Sequence, residues 1–259
     1  MSEPLSAARR PLLVISCEHG GNEVPGPYAP LFAGLEAQLE SHRGWDPGAL
    51  QLARQLAAAL NAPLHAATTS RLLVDLNRSI GHPHLFSEAT RPLPRAERNA
   101  IVDRYYRPHR EHVEGEIGRR IASGSRVIHV ASHSFTPTLQ GEERRADVAW
   151  LYDPRRAGER AFARDWMTAF ARLRPDLRVR RNYPYRGRDD GLTALLRRRH
   201  PDECYVGVEL EVNQRFVERG GAPWEELRAQ LVEALATVML DASGDNFGDS
   251  DHCAGTSPR

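Results

Sequence analysis

Pro11-Leu12-Leu13-Val14-Ile15-Ser16, running directly into Cys17-Glu18-His19-Gly20-Gly21-Asn22-Glu23-Val24-Pro25, is an apolar run of strand length that stops in a turn dense with possible metal ligands. A short continuous apolar stretch bounded by polar punctuation reads as a buried strand, central in its sheet. Its carboxyl end carries the histidine. In open α/β sheets that is the end where sites gather.

Other stretches are built in the same way. The apolar run 125–131 leads into Ser132-His133-Ser134-Phe135-Thr136-Pro137, a second histidine in a turn closed by proline. Tyr205-Val206-Gly207-Val208-Glu209-Leu210-Glu211-Val212 ends a strand with two acids, which share a face because side chains along a strand alternate with period two. Leu72-Leu73-Val74-Asp75-Leu76-Asn77-Arg78 brings an arginine to the end of a short run predicted to be a strand at 72–76.

Between these runs the pattern predicts further strands at 63–68, 148–152 and 177–181. It predicts helices at 49–60, 95–122 (bent or interrupted at Pro108), 157–173, 191–199 and 225–240. Asp46-Pro47 has the form of an N-cap followed by proline at the first helical position. The His- and Pro-rich stretch 79–94 lacks periodicity and reads as a long loop covering the site beside Arg78. Strands alternating with helices predict one α/β sandwich domain over 11–240, with a central mixed, largely parallel sheet flanked by helices. Residues 1–10 are expected to be a flexible N-terminus and 241–259, rich in Gly, Ser and Asp, a disordered tail.

Composition excludes several classes of partner. With 35 basic and 34 acidic residues, net charge dictates none, and the clusters Arg144-Arg145, Arg180-Arg181 and Arg197-Arg198-Arg199 lie among interleaved acids without a nucleic-acid-binding motif. No nucleic acid partner is expected. No apolar run approaches the ~18 residues of a membrane span, so no membrane association is expected either. Cys17, Cys204 and Cys253 lack CxxC spacing and are odd in number, which fits a reducing cytoplasm better than a disulfide framework. No feature fixes an oligomeric state.

A lone histidine at a turn is more often a hydrogen-bonded cap than a ligand. Two of them, each after a buried strand, read together as a zinc pair, His19 and His133. The third ligand is Asp46, reached through the constrained Gly44-Trp45 approach, or Glu23 in the turn after His19. Glu209 is the choice of general base, with Glu211 beside it able to hold an arginine or to exchange roles with it. Arg78, supported by Asn77, is suited to clamp a substrate carboxylate through its planar fork. Tyr185 belongs to the same pocket, and Arg144 is placed to stabilise charge developing on a carbonyl oxygen.

At these residues the chain resembles the N-formylglutamate amidohydrolase family, in particular a branch of predicted members. The resemblance is carried, in order, by Cys17-Glu18-His19-Gly20-Gly21-Asn22 with Val24-Pro25, by Trp45-Asp46-Pro47-Gly48-Ala49, and by Asp75-Leu76-Asn77-Arg78. It continues through His133-Ser134-Phe135-Thr136-Pro137, the run 148–152 and Val208-Glu209-Leu210-Glu211. It implies a phosphorylase/hydrolase-like fold akin to the zinc carboxypeptidases, with His19 and His133 as ligands, Arg78 on the substrate carboxylate and Glu209 as base. The chain departs from the carboxypeptidase pattern three residues after His19, where Asn22 stands in place of an acid. The implied activity is one-zinc-per-chain hydrolysis of a small-molecule N-acyl amino acid, with N-formyl-L-glutamate, cleaved to formate and glutamate, as the named substrate. The alternatives are a carboxypeptidase-like hydrolase of peptides or cell-wall fragments, and a non-catalytic carboxylate-binding or sensor protein.

Overall fold

The computed structural model describes residues 10–241, so the expectations for the two termini fall almost wholly outside the described residues. The strands, in chain order, are β1 (Leu12–Cys17), β2 (Leu64–Ala66), β3 (Val127–Phe135), the small β4–β5 hairpin (Thr138–Leu139 and Glu142–Glu143), β6 (Val148–Leu151), β7 (Val179–Arg181) and β8 (Tyr205–Asn213). Six of them form one sheet in the order β2-β1-β3-β8-β6-β7. The first four are mutually parallel, while β6 runs antiparallel to β8 and β7 follows β6. The sheet is mixed and mostly parallel, as expected. Strands β1, β3 and β8 lie side by side at its centre, so their carboxyl ends open at one edge.

Period-two alternation divides the chemistry between two faces. Leu13, Ile15 and Cys17 of β1, Ile128 and Val130 of β3, and Val206, Val208, Leu210 and Val212 of β8 all join one apolar cluster. This face packs against the helices Ala49–Ala59, Ala157–Leu173 and Gly221–Asp241. Trp150, Trp166 and Phe170 stack edge-on or tilted within that layer, with centroids 5.6 to 5.8 Å apart around Trp150. Burying such side chains contributes ~1.5–3 kcal/mol apiece. The opposite face is apolar only at its amino-terminal end, where Val14, Val127 and Tyr205 meet Val113, Ile117 and Ile121 of the helix Arg107–Ala122 and Leu192 and Leu196 of Leu192–Arg199. Toward the carboxyl edge it carries Ser16, His129, His133, Glu209 and Glu211, all buried.

Two local expectations are corrected. Residues 72–76 are turns and not a strand. Their leucines pack instead with Leu85 and Tyr106 in a satellite core, and backbone bonds such as Leu73 N–H to the Ser70 carbonyl and Asp75 N–H to the Leu85 carbonyl replace a sheet ladder. An apolar run has the same signature whether it is buried by a sheet or by a loop. Around Pro108 the helix does not break: a π-helical turn, Val102–Tyr106, precedes it and absorbs the missing N–H.

His129 sits on the polar face with no exposure, its Nε2 2.8 Å from Ser16 Oγ and its Nδ1 2.8 Å from Tyr205 OH. Burial pushes its pKa down to about 4. The unfolded chain therefore takes up a proton below pH ~6.5 that the folded chain refuses, so this contribution to stability is complete above that pH and is lost as pH falls toward 4. The difference corresponds to about 3 kcal/mol. Urea unfolding of wild type between pH 7.5 and 4 should show this decline, and His129→Gln, though less stable at neutral pH, should have a slope shallower by about one proton.

Candidate active site

His19 lies two residues beyond the end of β1, and His133 projects from the carboxyl half of β3. Asp46 comes between them from the loop before the helix Ala49–Ala59. Its backbone N–H donates to the His19 carbonyl at 2.9 Å, and two serines of β3 tie down the residues after it: Ser134 Oγ donates to the Pro47 carbonyl at 2.7 Å and Ser132 Oγ to that of Ala49 at 2.9 Å. The helix begins at Gly48, whose φ is 80° and where a Cβ would stand 2.5 Å from Val217 Cγ2. That left-handed turn, which favours glycine, directs the Asp46 carboxylate away from the helix and toward the histidines. Asp46 therefore does not serve as the N-cap its sequence pattern suggests.

Asp46 Oδ2 lies 2.9 Å from His133 Nδ1 and 3.4 Å from His19 Nδ1. The far nitrogen of each ring also faces an acid: His19 Nε2 is 2.8 Å from Asp75 Oδ1, and His133 Nε2 is 3.1 Å from Glu18 Oε2. Arg71 joins one end of the chain, donating to Asp75 Oδ2 at 2.9 Å and to Asp46 Oδ1 at 3.3 Å. All three carboxylates are buried, which disfavours charge on each of them. For Glu18 the facing imidazoles of His109 and His133 outweigh burial, and for Asp75 the Arg71 guanidinium and His19 do so, holding both well below the usual carboxylate range.

The donor chemistry of this arrangement fits a metal ion. A neutral imidazole has one N–H and can satisfy one of the two carboxylates that flank it. The other nitrogen then turns a lone pair toward a carboxylate, which requires a cation between them. Three carboxylates against the single guanidinium of Arg71 leave two negative charges, the complement of a divalent ion. One ligand atom each from His19, Asp46 and His133 lies within 4.8 Å of the others, all three residues buried. Two imidazoles and a carboxylate, each ring backed by a further acid, suit zinc.

Glu23, the other candidate ligand, is exposed and accepts a hydrogen bond from Thr68 Oγ1 at 2.7 Å, apart from this group. Glu211 lies opposite His133 in the β3–β8 register, and Glu209 opposite Ala131. Glu209 Oε1 accepts from Thr193 Oγ1 at 2.6 Å, while Glu211 Oε2 is buried without a partner. Burial, with Asp46 and Glu209 nearby, pushes the Glu211 carboxyl up to about 8.

These groups open into a cleft of about 140 Å³, which Asn77, Arg78, Tyr185, Arg186, Asp189 and His42 also line. This volume is well below the ~300–1,000 Å³ of drug-sized pockets. The outer wall is the 185–190 segment and not the expected 79–94 loop, which supplies no lining residue. Arg78 donates to the Asp190 carbonyl at 2.8 Å, and Tyr106 OH holds the Arg78 carbonyl at 2.7 Å. Asn77 Oδ1 accepts the Leu192 N–H at 2.8 Å, so it caps a helix from outside. Arg144 stands outside the lining, its guanidinium 5.2 Å from the Tyr185 ring centroid and 3.2 Å from Tyr185 OH, at the rim. Sequence reasoning missed Asp75 as the partner of His19, and it missed Glu18 and Arg71. Asp75 and Glu18 lay within quoted motifs, but only the fold shows which ring each acid faces.

The position of this cleft, at the carboxyl edge of a mixed sheet between two helical layers, puts the chain among the α/β enzymes. The N-formylglutamate amidohydrolase family model matches residues 12–217; the chain belongs to that family and is an amidohydrolase. A solved gene product of Agrobacterium tumefaciens is 30% identical with a TM-score of 0.76, the match covering 90% of this chain and 92% of the other. N-formylglutamate amidohydrolase from Ralstonia eutropha JMP134 shares the fold at 20% identity and TM-score 0.62, over 90% of this chain and 96% of the other. No curated protein matches the chain. No helix among the described residues is long and apolar enough to cross a membrane.

Asn77→Ala should behave as the loss of a helix cap, costing about 1 kcal/mol. A lower thermal midpoint, with a milder change in KM than Arg78→Ala produces, is the expected outcome in unfolding and steady-state measurements made side by side.

Proposed function

We propose that this chain is a zinc-dependent amidohydrolase that cleaves the amide bond of a small N-acyl amino acid, with N-formyl-L-glutamate the first substrate to test. The observation that carries the proposal is the His19–Asp46–His133 trio, buried and doubly negative with its carboxylate partners, in the same small cleft as the strand acid Glu211 and an arginine wall. Zinc held by these three residues would supply an acidified water and polarise the scissile carbonyl.

The remaining work falls to the chain's own side chains. Arg78 is held from behind by Tyr106 and by the Asp190 carbonyl, so its fork can orient a substrate carboxylate with little loss of freedom. Arg186, in the same wall, offers a second cation for a side-chain carboxylate. Of the two strand acids, Glu211 is favoured over Glu209 as general base. It faces His133 in register and has an uncommitted oxygen, whereas Glu209 is held by Thr193. Glu211 accepts a proton from the attacking water and returns it to the leaving nitrogen. Glu209, by its charge, keeps the carboxyl of Glu211 basic. Tyr185 and Arg144 form the mouth through which the acyl group enters.

Metal analysis of the purified protein should find about one zinc per chain in wild type and little in His19→Ala, Asp46→Ala or His133→Ala. Zinc binding that survives all three substitutions would refute the ligand set. Glu211→Gln should retain zinc and lose roughly 10²–10⁴-fold in kcat, the range of general acid–base catalysis, with a smaller loss for Glu209→Gln. The reverse order would return the base to Glu209. Arg78→Ala should chiefly raise KM, because a clamp on the non-reacting end binds ground state and transition state alike.

A further inference from the structure

We infer that Glu18 and His109 are positioning residues of the zinc site: His109 reaches Glu18 from the helix Arg107–Ala122, packed on the same face of the sheet as His133, and Glu18 fixes the ring of His133 so that its Nδ1 lone pair faces the metal position. This inference rests on the zinc reading proposed above. Glu18 is completely buried. Its Oε1 is 3.4 Å from His109 Nε2 and its Oε2 3.1 Å from His133 Nε2. His109 lies in the helix Arg107–Ala122, and His133 is the proposed ligand in β3.

The two ligand histidines are supported differently. Behind His19 stands Asp75, itself gripped by Arg71 and by the Asn77 N–H at 2.9 Å. Behind His133 stands Glu18, which forms no ion pair with an arginine or lysine among the described residues and meets only imidazoles. The charge of Glu18 is therefore balanced by the histidines and by whatever cation His133 holds, not by a neighbouring guanidinium. Facing Nε2 at 3.1 Å, Glu18 favours the ring proton on that nitrogen when a metal takes the Nδ1 lone pair. An amide at position 18 is uncharged and has one acceptor oxygen to share between His109 and His133, so it holds the His133 Nε2–H less firmly and frees the ring to place its proton on Nδ1, where the metal must bind. Metal-binding histidines generally depend on such a carboxylate partner. Among the described residues His109, 8% exposed, restrains the other oxygen of Glu18.

The test is zinc affinity of the full chain, measured by competition with a chromophoric chelator for wild type, Glu18→Gln and His109→Gln. The visible spectrum of the cobalt-substituted proteins provides a second readout, and circular dichroism confirms that each is folded. Glu18→Gln should bind zinc roughly 10–100-fold more weakly, and the cobalt spectrum should shift as the His133 nitrogen is lost or rotated. His109→Gln should weaken binding in the same direction by a smaller factor. If Glu18→Gln does not fold, His109→Gln carries the test, and its zinc affinity equal to wild type overturns the inference. Folded Glu18→Gln that binds zinc within about twofold of wild type also overturns it and leaves the ligand set standing. Absence of zinc binding by wild type overturns the zinc reading itself and this inference with it.

Discussion

Two imidazoles alternating with three carboxylates, in the order Asp75, His19, Asp46, His133, Glu18, are the constraint around which the rest of the molecule is organised. Each contact joins segments far apart in the chain, and none would persist alone in water, where solvent satisfies the same groups. The sheet makes the chain of contacts possible. Parallel β1 and β3 bring the residues after Ser16 and Ala131 to the same edge, and the serines of β3 fix the start of the next helix so that Asp46 falls between the histidines. Arg71 and Arg110 secure the remaining side: Arg71 binds Asp75, and Arg110 Nη1 donates to the Leu76 carbonyl at 3.1 Å.

The division of the sheet into two faces explains how such polarity is tolerated inside a small domain. Isolated buried carboxylates cost several kcal/mol each unless paired and hydrogen-bonded. Here the cost is confined to alternate positions at one edge, while the intervening positions of the same strands feed an apolar layer against three helices, broken in β3 by Ser132 and Ser134, which tie down the start of the helix Ala49–Ala59. Stability and chemistry thus share strands without sharing side chains. The amino-terminal half of the polar face returns to apolar packing around Tyr205, and His129 marks the boundary, neutral and satisfied by Ser16 and Tyr205.

The sequence revealed much of this, because alternation and strand ends are local properties. His19, His133 and the Glu209/Glu211 pair could be placed at the carboxyl edge from the runs that precede them, and the β1–β3–β8 core follows from those same runs. Which acid faces which ring is not local. Asp75 and His19 are 56 residues apart, and His109 and Glu18 are 91 apart, so their pairing depends on how a turn-rich segment and a helix dock. The 72–76 run was misread as a strand because leucines buried by a loop and leucines buried by a sheet look alike in one dimension. Asp46 carried two compatible patterns, helix cap and ligand. Gly48 decides between them in three dimensions, since its left-handed turn leaves the carboxylate free of the helix.

The same electrostatics would tie the proposed metal to the fold. A site with two uncompensated negative charges is strained whenever the cation is absent, because histidines must take up protons or carboxylates must give up their charge. Burial opposes the protonated form of His133, yet Asp46 and Glu18 hold its pKa well above the ordinary value, so a proton acts as the weaker stand-in for the metal. Metal and protons therefore compete for the same lone pairs. By linkage, a ligand that binds only the folded chain stabilises it in proportion to the logarithm of its concentration over its dissociation constant. A cation held there would therefore stabilise the carboxyl edge of the sheet above all, while the apolar face beneath it holds the strands in register.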